Sequence, residues 1–375
     1  MNIRQPNVAS HQSESPPSDV ARLLTCDSFI IGPEDRILIT GATGFVGPRV
    51  VECLLNLGFR NLVCFARPSS DLARIEASCK SRLLGTRVEI LKGNLLSRED
   101  CEAASKEVAV IFHLAAGTGE KSFPDAFMNS AVTTRNLLDA SLQCARLRRF
   151  VLVSSFAVYS NRQNRRLLEE SCPIEEHPEL RGEAYCFAKV RQEQILAEYS
   201  HNFGVPYVIV RPGSIYGPGK DEIIGRVGIA TFGIFVHLGG SNTIPLTYVD
   251  NCAEAIVLAG LVKGVDSEVF NVVDDDLPTS REFLRLYKKN VRRFKSVYLP
   301  HAASHALCYL WEKYSQWSNG QLPLVFTRRR WYAYWRKTRY SNQKLKARLG
   351  WTPKVPTEVG LRQFFKNRGR DCTYV

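Results

Sequence analysis

A short apolar run that breaks into three glycines constrains the fold of this 375-residue chain more than any other feature. The stretch RILITGATGFVG, residues 36–47, contains Gly41, Gly44 and Gly47, spaced three apart. Its first half predicts a buried strand, and Pro48 predicts the first turn of a helix directly after the glycines. A strand, a glycine turn and a helix in this order indicate the first unit of a parallel α/β sheet.

Further apolar runs alternate with amphipathic stretches along the chain. They lie at residues 61–66, 87–93, 108–116, 149–155 and 206–212. This alternation predicts a doubly wound parallel sheet of the Rossmann type, with helices on both faces. We expect a dinucleotide-binding domain over 35–212, and a smaller substrate-binding region over 213–375 that returns strands and helices to the main domain. The polar, proline-containing residues 1–34 predict a mobile N-terminal tail.

The glycine turn has the chemistry of a pyrophosphate site. A pyrophosphate needs backbone N–H groups from the first turn of a helix, and side chains there would keep it away. Gly41 permits the tight turn, Gly44 lets the phosphates approach, and Gly47 lets the helix pack close to its strand. The sequence therefore predicts a dinucleotide cofactor at this turn, whose remaining candidate contacts are Thr43, Phe45 and Val46.

The spacing G-x-x-G-x-x-G, with the alternating pattern behind it, resembles the extended short-chain dehydrogenase/reductase family, also called the NAD-dependent epimerase/dehydratase family. The resemblance covers residues 36–365. It combines features of the nucleotide-sugar epimerases with features of the 3β-hydroxysteroid dehydrogenase/dihydroflavonol reductase branch. The resemblance implies that Asn94 contacts adenine, where the family usually has Asp. The other cofactor contacts that it implies are Leu95, Leu114, Ala115, Ala116, Asn129, Pro212, Gly213 and Ile215.

The end of the second strand bears on the choice between NADP and NAD. The segment CFARPSSDL places Arg67 where it can bind a 2'-phosphate, and its first acid is Asp71. The sequence therefore favours NADP over NAD. Were Arg67 only to stack on adenine, either cofactor would remain open.

A second set of residues resembles the catalytic Ser, Tyr and Lys of the family. Tyr185 and Lys189 lie four apart, hence on one face of a helix, and Ser155 ends a strand. In hydride transfer at a secondary alcohol or ketone, Tyr185 would act as the base and Ser155 would orient the substrate oxygen. Lys189 would lower the pKa of Tyr185, together with the nicotinamide, and hold the nicotinamide ribose.

The residues after Ser155 bear on which reaction of the family the protein catalyses. Sugar-nucleotide dehydratases of the family carry an acid there, whereas this chain has Phe156 and Ala157, which disfavours a 4,6-dehydratase. We therefore expect an epimerase or reductase that acts on a nucleotide sugar. The alternative is a 3β-hydroxysteroid dehydrogenase/dihydroflavonol reductase-like enzyme for a bulky apolar substrate. A second alternative is a non-catalytic regulator that senses NADP.

The formal net charge of +13 concentrates in one basic segment. Residues 326–348 hold nine Lys or Arg and six aromatic residues without an acid. We expect this segment and Arg226 to meet an anionic substrate or a membrane surface, and nucleic acid is disfavoured as a partner.

The remaining features concern the compartment and the assembly. No apolar run reaches the roughly 20 residues of a membrane-spanning helix, and the polar start is unlike a secretory signal. The eleven cysteines are scattered, which predicts a reducing cytoplasm and no metal site. The family resemblance implies a homodimer that pairs through helices.

Overall fold

A computed structural model describes residues 28–80, 87–117, 122–163, 167–220, 224–231, 233–318, 321 and 326–366 of the chain. The strands are β1 (Arg36–Thr40), β2 (Asn61–Ala66), β3 (Arg87–Lys92), β4 (Val108–His113), β5 (Arg149–Val153), β6 (Leu167–Leu168), β7 (Tyr207–Pro212), β8 (Ser214–Tyr216), β9 (Gly228–Thr231), β10 (Ile234–His237), β11 (Leu246–Tyr248), β12 (Glu268–Val272), β13 (Ser296–Tyr298) and β14 (Arg339–Tyr340).

The helices alternate with the strands in the first half of the chain and cluster in the second. They are α1 (Gly47–Asn56), α2 (Ala73–Lys80), α3 (Arg98–Ser105), α4 (Phe123–Ala126), α5 (Thr133–Leu142), α6 (Ala184–Phe203), α7 (Val249–Leu261), α8 (Ser280–Asn290), α9 (His301–Trp317), α10 (Arg328–Tyr334), α11 (Gln343–Leu349) and α12 (Thr357–Lys366). A π-helical segment, Phe127–Val132, joins α4 to α5, and short 3₁₀ turns lie at Phe156–Val158 and Pro178–Arg181.

Seven parallel strands form the main sheet, in the order β12-β7-β5-β4-β1-β2-β3. The chain builds outward from β1 to β3, returns to the other side of β1, and builds outward again from β4 to β12. This order confirms the doubly wound Rossmann-type sheet that the alternating pattern predicts. The two directions diverge between β1 and β4, which is where sheets of this kind bind ligands, beyond the carboxyl ends of the strands.

Both faces of this sheet are covered. In β1, Ile37 and Ile39 face a core that α1 and α7 complete, whereas Leu38 faces α3, α5 and α6. Successive side chains of a strand point to opposite faces, so a strand buried on both sides has to be apolar at nearly every position. This requirement explains the continuous apolar runs of the sequence.

A smaller region lies beyond β7. It contains a three-stranded sheet, β13-β10-β9, with β8 paired to β11, and α8, α9, α10 and α12 pack around these strands. Two later segments return to the main domain: β12 is the edge strand beside β7, and α11 contributes Leu345 and Leu349 to the core on one face of the sheet. No described helix is both long and apolar enough to span a bilayer.

The residues just before β1 belong to the fold. Phe29 and Ile31 are each 7% exposed and pack in the main core. The Ile30 amide donates to the Leu261 carbonyl at 2.8 Å, and Phe29 forms a β-bridge with Val262. The predicted tail of residues 1–34 therefore extends too far, because the apolar segment FII at 29–31 packs against the end of α7. Residues 1–27 lie outside the described residues.

Candidate active site

The glycine turn leaves no room for side chains. Gly41 has φ +71°, and a Cβ on it would lie 2.8 Å from the Ala115 amide nitrogen. A Cβ on Gly47 would lie 2.5 Å from the Ala42 carbonyl oxygen, so that only glycine lets α1 start this close to β1. The Gly44 amide donates to the Gly41 carbonyl at 3.0 Å. This bare turn at the start of α1 fits a dinucleotide pyrophosphate.

The segment after β4 forms a wall beside this turn. The Leu114 amide donates to the Thr40 carbonyl at 3.2 Å, and the Ala115 amide lies 3.4 Å from the Thr40 hydroxyl. Leu114, Ala115 and Ala116 are all half-buried. Three of the residues that the sequence assigns to the cofactor are thus fixed against β1, next to the turn.

The candidate adenosine side lies at the ends of β2 and β3. Arg67 follows β2 and is exposed, whereas the Asp71 carboxylate accepts from the Ala73 amide at 3.0 Å at the start of α2. The Asn94 side-chain oxygen accepts from the Leu96 amide at 3.0 Å. The Leu95 side chain is only 8% exposed and packs in the core, and its carbonyl accepts from the Asn136 side chain at 3.0 Å.

The remaining predicted cofactor residues lie beyond β4 and β7. Asn129 is exposed in the π-helical segment, and its carbonyl accepts from the Thr133 hydroxyl at 3.1 Å. Pro212 ends β7, and the next amide, that of Gly213, donates to the Val272 carbonyl at 2.9 Å. Ile215 is half-buried in β8.

Ser155 and Tyr185 meet where β5 ends and α6 begins. The Ser155 side chain accepts from the Ala157 amide at 3.1 Å and caps the 3₁₀ turn Phe156–Val158. Tyr185 lies in the first turn of α6, close enough to Ser155 for that side chain to act on the pKa of the Tyr185 phenol. The two hydroxyl groups that the sequence assigns to proton transfer and substrate orientation are thus brought together.

Lys189 is buried one helical turn further along α6, with 3% of its surface exposed. Its ammonium donates to the Val153 carbonyl at 2.7 Å and to the Gln192 side-chain oxygen at 3.0 Å. Burial lowers the pKa of Lys189 to about 8, and the nearby Glu193 carboxylate opposes that shift. The contact with Val153 ties Lys189 to the strand that carries Ser155.

The pKa of Tyr185 is raised, whereas the sequence led us to expect that Lys189 lowers it. Burial raises the pKa of Tyr185, the Ser155 side chain opposes this rise, and Glu183 and Cys186 add to it. The physical reason is the direction of the Lys189 side chain, whose ammonium is bonded to Val153 and Gln192.

A chain of buried polar side chains behind Lys189 was not predicted as part of the site. The Gln192 amide donates to the Thr134 hydroxyl at 2.7 Å, which lies 2.9 Å from His113 Nε2. His113 Nδ1 lies 2.7 Å from the hydroxyl of Thr40, the residue before Gly41. Burial, with a contribution from Lys189, lowers the pKa of His113 to about 3, which keeps the ring neutral. The sequence feature that could have predicted this chain of side chains is His113, a histidine within an otherwise apolar strand.

A second buried group holds α6 in place from another side. The Glu193 carboxylate accepts from Arg211 Nε at 2.9 Å and Nη2 at 2.6 Å, and from the Ser154 hydroxyl at 2.5 Å. Arg211 also stacks on the Tyr159 ring, with its Cζ 4.8 Å from the ring centroid. Arg211 stands at the end of an otherwise apolar run in β7. Its charge is the sequence feature that could have predicted a buried acidic partner such as Glu193.

The basic segment 326–348 is largely part of the protein interior. Trp331 and Trp335 are 8% and 2% exposed and pack in one apolar cluster. Arg328 forms an ion pair with Glu312 at 2.7 Å, and Arg329 forms one with Glu175 at 2.5 Å. Much of the segment's charge is therefore balanced by internal acids.

Arg226 is likewise engaged inside the protein. It is 7% exposed, donates to the Ala333 carbonyl at 2.8 Å, and lies with its Cζ 4.8 Å from the centroid of the Tyr334 ring. The Tyr334 hydroxyl donates to Glu183, two residues before Tyr185. This cluster thus connects the smaller region to the start of α6.

Comparisons with known proteins agree with this arrangement. The trifunctional UDP-glucose 4,6-dehydratase/UDP-4-keto-6-deoxy-D-glucose 3,5-epimerase/UDP-4-keto-L-rhamnose-reductase of Arabidopsis thaliana is 28% identical over 254 residues, which are 63% of this chain and 36% of that relative. A 4-hydroxy-2-methyl-3-oxo-4-farnesyl-3,4-dihydroquinoline-1-oxide ketoreductase of Stigmatella aurantiaca is 24% identical over 329 residues, covering 87% of this chain and 94% of the relative.

A similar solved structure and a family model complete the comparison. The UDP-glucuronic acid 4-epimerase from Bacillus cereus, in complex with UDP-glucuronic acid and NAD, superimposes with a TM-score of 0.66 at 21% identity. The match covers 88% of this chain and 98% of the epimerase, and it shows a shared fold. The model of the NAD dependent epimerase/dehydratase family matches residues 37–272. The chain therefore belongs to the NAD-dependent epimerase/dehydratase family.

Proposed function

We propose that this protein is an NAD(P)-dependent oxidoreductase or epimerase that acts at a secondary alcohol or ketone, with Tyr185 as the acid–base residue. The observation that carries the proposal is that Tyr185 lies beside Ser155 at the carboxyl edge of the sheet, with Lys189 buried one turn away. The bare glycine turn lies at the same edge. A bound nicotinamide dinucleotide supplies the hydride acceptor or donor.

Each of the three residues has one task in this proposal. The Ser155 hydroxyl orients the substrate oxygen, and the Tyr185 hydroxyl takes up or returns the proton of that oxygen. The Lys189 ammonium, bonded to Val153 and Gln192, holds the carboxyl end of β5 against α6, and the positive nicotinamide ring of a bound oxidised cofactor would supply the charge that favours the Tyr185 phenolate. Because burial raises the pKa of Tyr185, this positive charge is needed for work near neutral pH.

NADP is the preferred cofactor in this proposal. Arg67 is exposed at the end of β2, where it can donate to a 2'-phosphate, and Asp71 already accepts from the backbone of α2. In a titration of both reduced cofactors, Arg67→Ala should weaken NADPH binding about 10- to 100-fold and leave NADH binding unchanged. The matched control is Arg60→Ala, which removes an exposed arginine at the opposite end of β2.

A nucleotide sugar is the first candidate substrate. The plant relative is named for reactions on UDP-sugars, and the bacterial epimerase structure contains UDP-glucuronic acid. Among these reactions, epimerisation or reduction fits better than 4,6-dehydration. Phe156 is 2% exposed and stacks on Tyr340, and Ala157 is also buried, so neither position after Ser155 offers an acid.

A bulky apolar ketone or alcohol is the second candidate, on two observations. The relative from Stigmatella aurantiaca, matched over 94% of its length, is named a ketoreductase of a farnesylated quinoline. Arg226, Arg328 and Arg329, which the sequence offered as partners of an anionic substrate, are engaged with groups of the protein itself. Such engagement leaves these cations less able to bind a diphosphate.

A turnover screen tests the proposal and separates the substrate classes. The purified protein is incubated with each nicotinamide cofactor and a panel of UDP-sugars and farnesylated or sterol-like ketones and alcohols, while nicotinamide absorbance and sugar epimers are followed. Tyr185→Phe should lower turnover about 10²- to 10⁴-fold and retain cofactor binding. The control is Tyr207→Phe, at the amino end of β7.

The outcomes are distinct. Full turnover by Tyr185→Phe would contradict its role as the acid–base residue. Cofactor binding without turnover of any substrate, unchanged in Tyr185→Phe, would instead support a regulator that senses NADP.

A further inference from the structure

The three buried residues of helix α9 are small, whereas several of its large apolar residues are exposed. The residues that it buries are Ser304, Cys308 and Ser315. The large residues on its exposed side are Leu307 (53% exposed), Leu310 (59%), Tyr314 (52%) and Trp317 (77%). A helix at a protein–water boundary ordinarily shows the reverse pattern, with its apolar stripe toward the core.

The four exposed residues form one continuous stripe. They are spaced by three, four and three positions, which places them on the same helix face over more than two turns. We call them the α9 stripe. A contiguous exposed apolar surface of this kind marks an interaction site rather than ordinary surface variation.

The opposite face of α9 holds the helix firmly on the body of the protein. Cys308 packs in a cluster with Trp331 and Trp335, and the Trp331 indole N–H donates to the Ser304 hydroxyl at 2.9 Å. The α9 stripe is therefore directed outward by well-packed contacts. It cannot turn inward without breaking them.

The segment that leads into α9 is basic. Arg292, Arg293 and Lys295 are exposed before β13, and Lys313 is exposed on the helix itself, next to Tyr314 in the chain. Glu312 is the one acid of α9, and it is paired with Arg328 at 2.7 Å. The exposed charges on the helix and on the segment before β13 are therefore positive.

An exposed apolar helix face can bind a second copy of the chain or a lipid surface, and the positive charge favours one of these two partners. A second copy related by twofold symmetry would pack the patch against itself and bring its cations close to one another. An anionic lipid surface instead accepts apolar side chains at the boundary of headgroups and acyl chains and attracts the flanking cations. Tyr314 and Trp317 are residue types that favour this interfacial layer.

We propose that the α9 stripe and its flanking cations dock the protein on an anionic membrane surface, with α9 lying in the plane of the interface. This surface differs from the basic segment 326–348, in which Trp331 and Trp335 are buried and two arginines form internal ion pairs.

Vesicle co-sedimentation of the full chain tests the proposal. The probes are vesicles of phosphatidylcholine alone and of phosphatidylcholine mixed with phosphatidylglycerol. We expect the protein to pellet with the anionic vesicles and to stay in solution with the neutral ones. The double substitution Leu310→Gln/Trp317→Gln should weaken binding at least tenfold. Its control, Leu57→Gln/Phe203→Gln, removes one leucine (37% exposed) and one aromatic residue (60% exposed) elsewhere and should bind normally.

A second pair of variants tests the charge. Arg292→Gln/Arg293→Gln/Lys295→Gln should weaken binding and make it less sensitive to salt. The control Lys106→Gln/Arg146→Gln/Arg148→Gln removes the same number of exposed charges after α3 and α5 and should bind like the wild type. Circular dichroism checks that all variants are folded.

Three results would overturn the proposal. The wild type fails to pellet with anionic vesicles, or the Leu310/Trp317 variant pellets as well as the wild type, or neutral and anionic vesicles bind equally. A wild-type dimer that this variant converts to a monomer, without vesicle binding, would assign the stripe to a second copy. The readout requires no turnover, so it is independent of the proposed function.

Discussion

Lys189 is linked to the glycine turn by buried side chains rather than by the backbone alone. Its ammonium contacts Gln192, and Gln192, Thr134 and His113 continue the contacts to Thr40. Thr40 is the residue before Gly41. Replacing any of these side chains by an apolar one leaves a buried polar atom without its partner, which costs about 1–3 kcal/mol. The position of Lys189 thus depends on residues that are distant in the sequence.

His113 makes the stability of the protein dependent on acid pH. Burial lowers the pKa of His113 to about 3, whereas an unfolded histidine titrates near 6.5, so only the unfolded chain takes up this proton between these values. Stability should therefore fall as the pH drops below 6.5. From pH 7 to pH 5, His113 should account for a loss of about 2 kcal/mol in the free energy of unfolding. Urea denaturation at both pH values measures it.

The matched variant for this test is His113→Gln. Glutamine keeps one donor and one acceptor near Thr40 and Thr134 but does not titrate. The variant should lose about 2 kcal/mol less than the wild type over the same pH interval. Parallel losses in both proteins would show that His113 is not the source of the pH dependence.

At the scale of the elements, two glycines of the turn should have different effects when they are replaced: one on the stability of the fold and the other on cofactor binding. A Cβ on Gly47 would lie 2.5 Å from the Ala42 carbonyl oxygen, so Gly47→Ala should force α1 away from β1 and cost about 1–3 kcal/mol. A Cβ on Gly44 would lie 3.2 Å from the Gly41 carbonyl oxygen, which a small shift relieves. Gly44→Ala should therefore remain folded but bind the cofactor at least about tenfold more weakly, because its methyl group occupies the pyrophosphate approach.

Thermal unfolding and cofactor titration distinguish the two variants. Gly225→Ala is the control, since a Cβ there has no atom within 4 Å, and it should resemble the wild type in both measurements. Equal cofactor affinity in Gly44→Ala and the wild type would contradict a pyrophosphate site at this turn.

The sheet was predictable because its signals are local. A strand buried on both faces is apolar throughout, and a parallel sheet brings the carboxyl ends of its strands to one edge. The sequence could therefore assign Gly41 and Ser155 to the same edge, although they are far apart in the chain. It could not show that the Lys189 ammonium bonds to Val153, because a side-chain direction depends on what surrounds it in the folded protein.

The basic segment illustrates the same limit. Nine cations without an acid within residues 326–348 indicated an exposed basic surface, but Glu312 and Glu175 neutralise Arg328 and Arg329 from other parts of the chain. The exposure of the α9 stripe could not be predicted from the sequence, for a related reason. Its leucine and aromatic residues have the composition of a core helix, and only the packed structure shows which face is covered.

For the whole molecule, residues 28–34 act as an additional packing segment of the main domain. Phe29 and Ile31 are buried against the core, and burying such side chains contributes about 1.5–3 kcal/mol each. A chain that starts at residue 35 should therefore unfold with a free energy about 3–6 kcal/mol lower than a chain that starts at residue 28. Chemical denaturation of the two proteins gives this difference.

A full-length variant provides the control for the shortened chains. Phe29→Ser/Ile31→Ser should reproduce most of the loss without altering the length, because it removes the same apolar contacts. Equal stability of the chains that start at residues 28 and 35 would mean that residues 28–34 contribute nothing to the fold.

The late position of β12 in the chain governs how the protein can be synthesised. This strand pairs with β7, although β8 to β11 and α7 separate the two along the chain. On a translating ribosome, the outer side of β7 stays unpaired until β12 emerges, a delay on the order of ten seconds at ordinary elongation rates. An unpaired strand edge invites aggregation. We therefore expect a chain cut after β7 to be more prone to aggregation than the full chain.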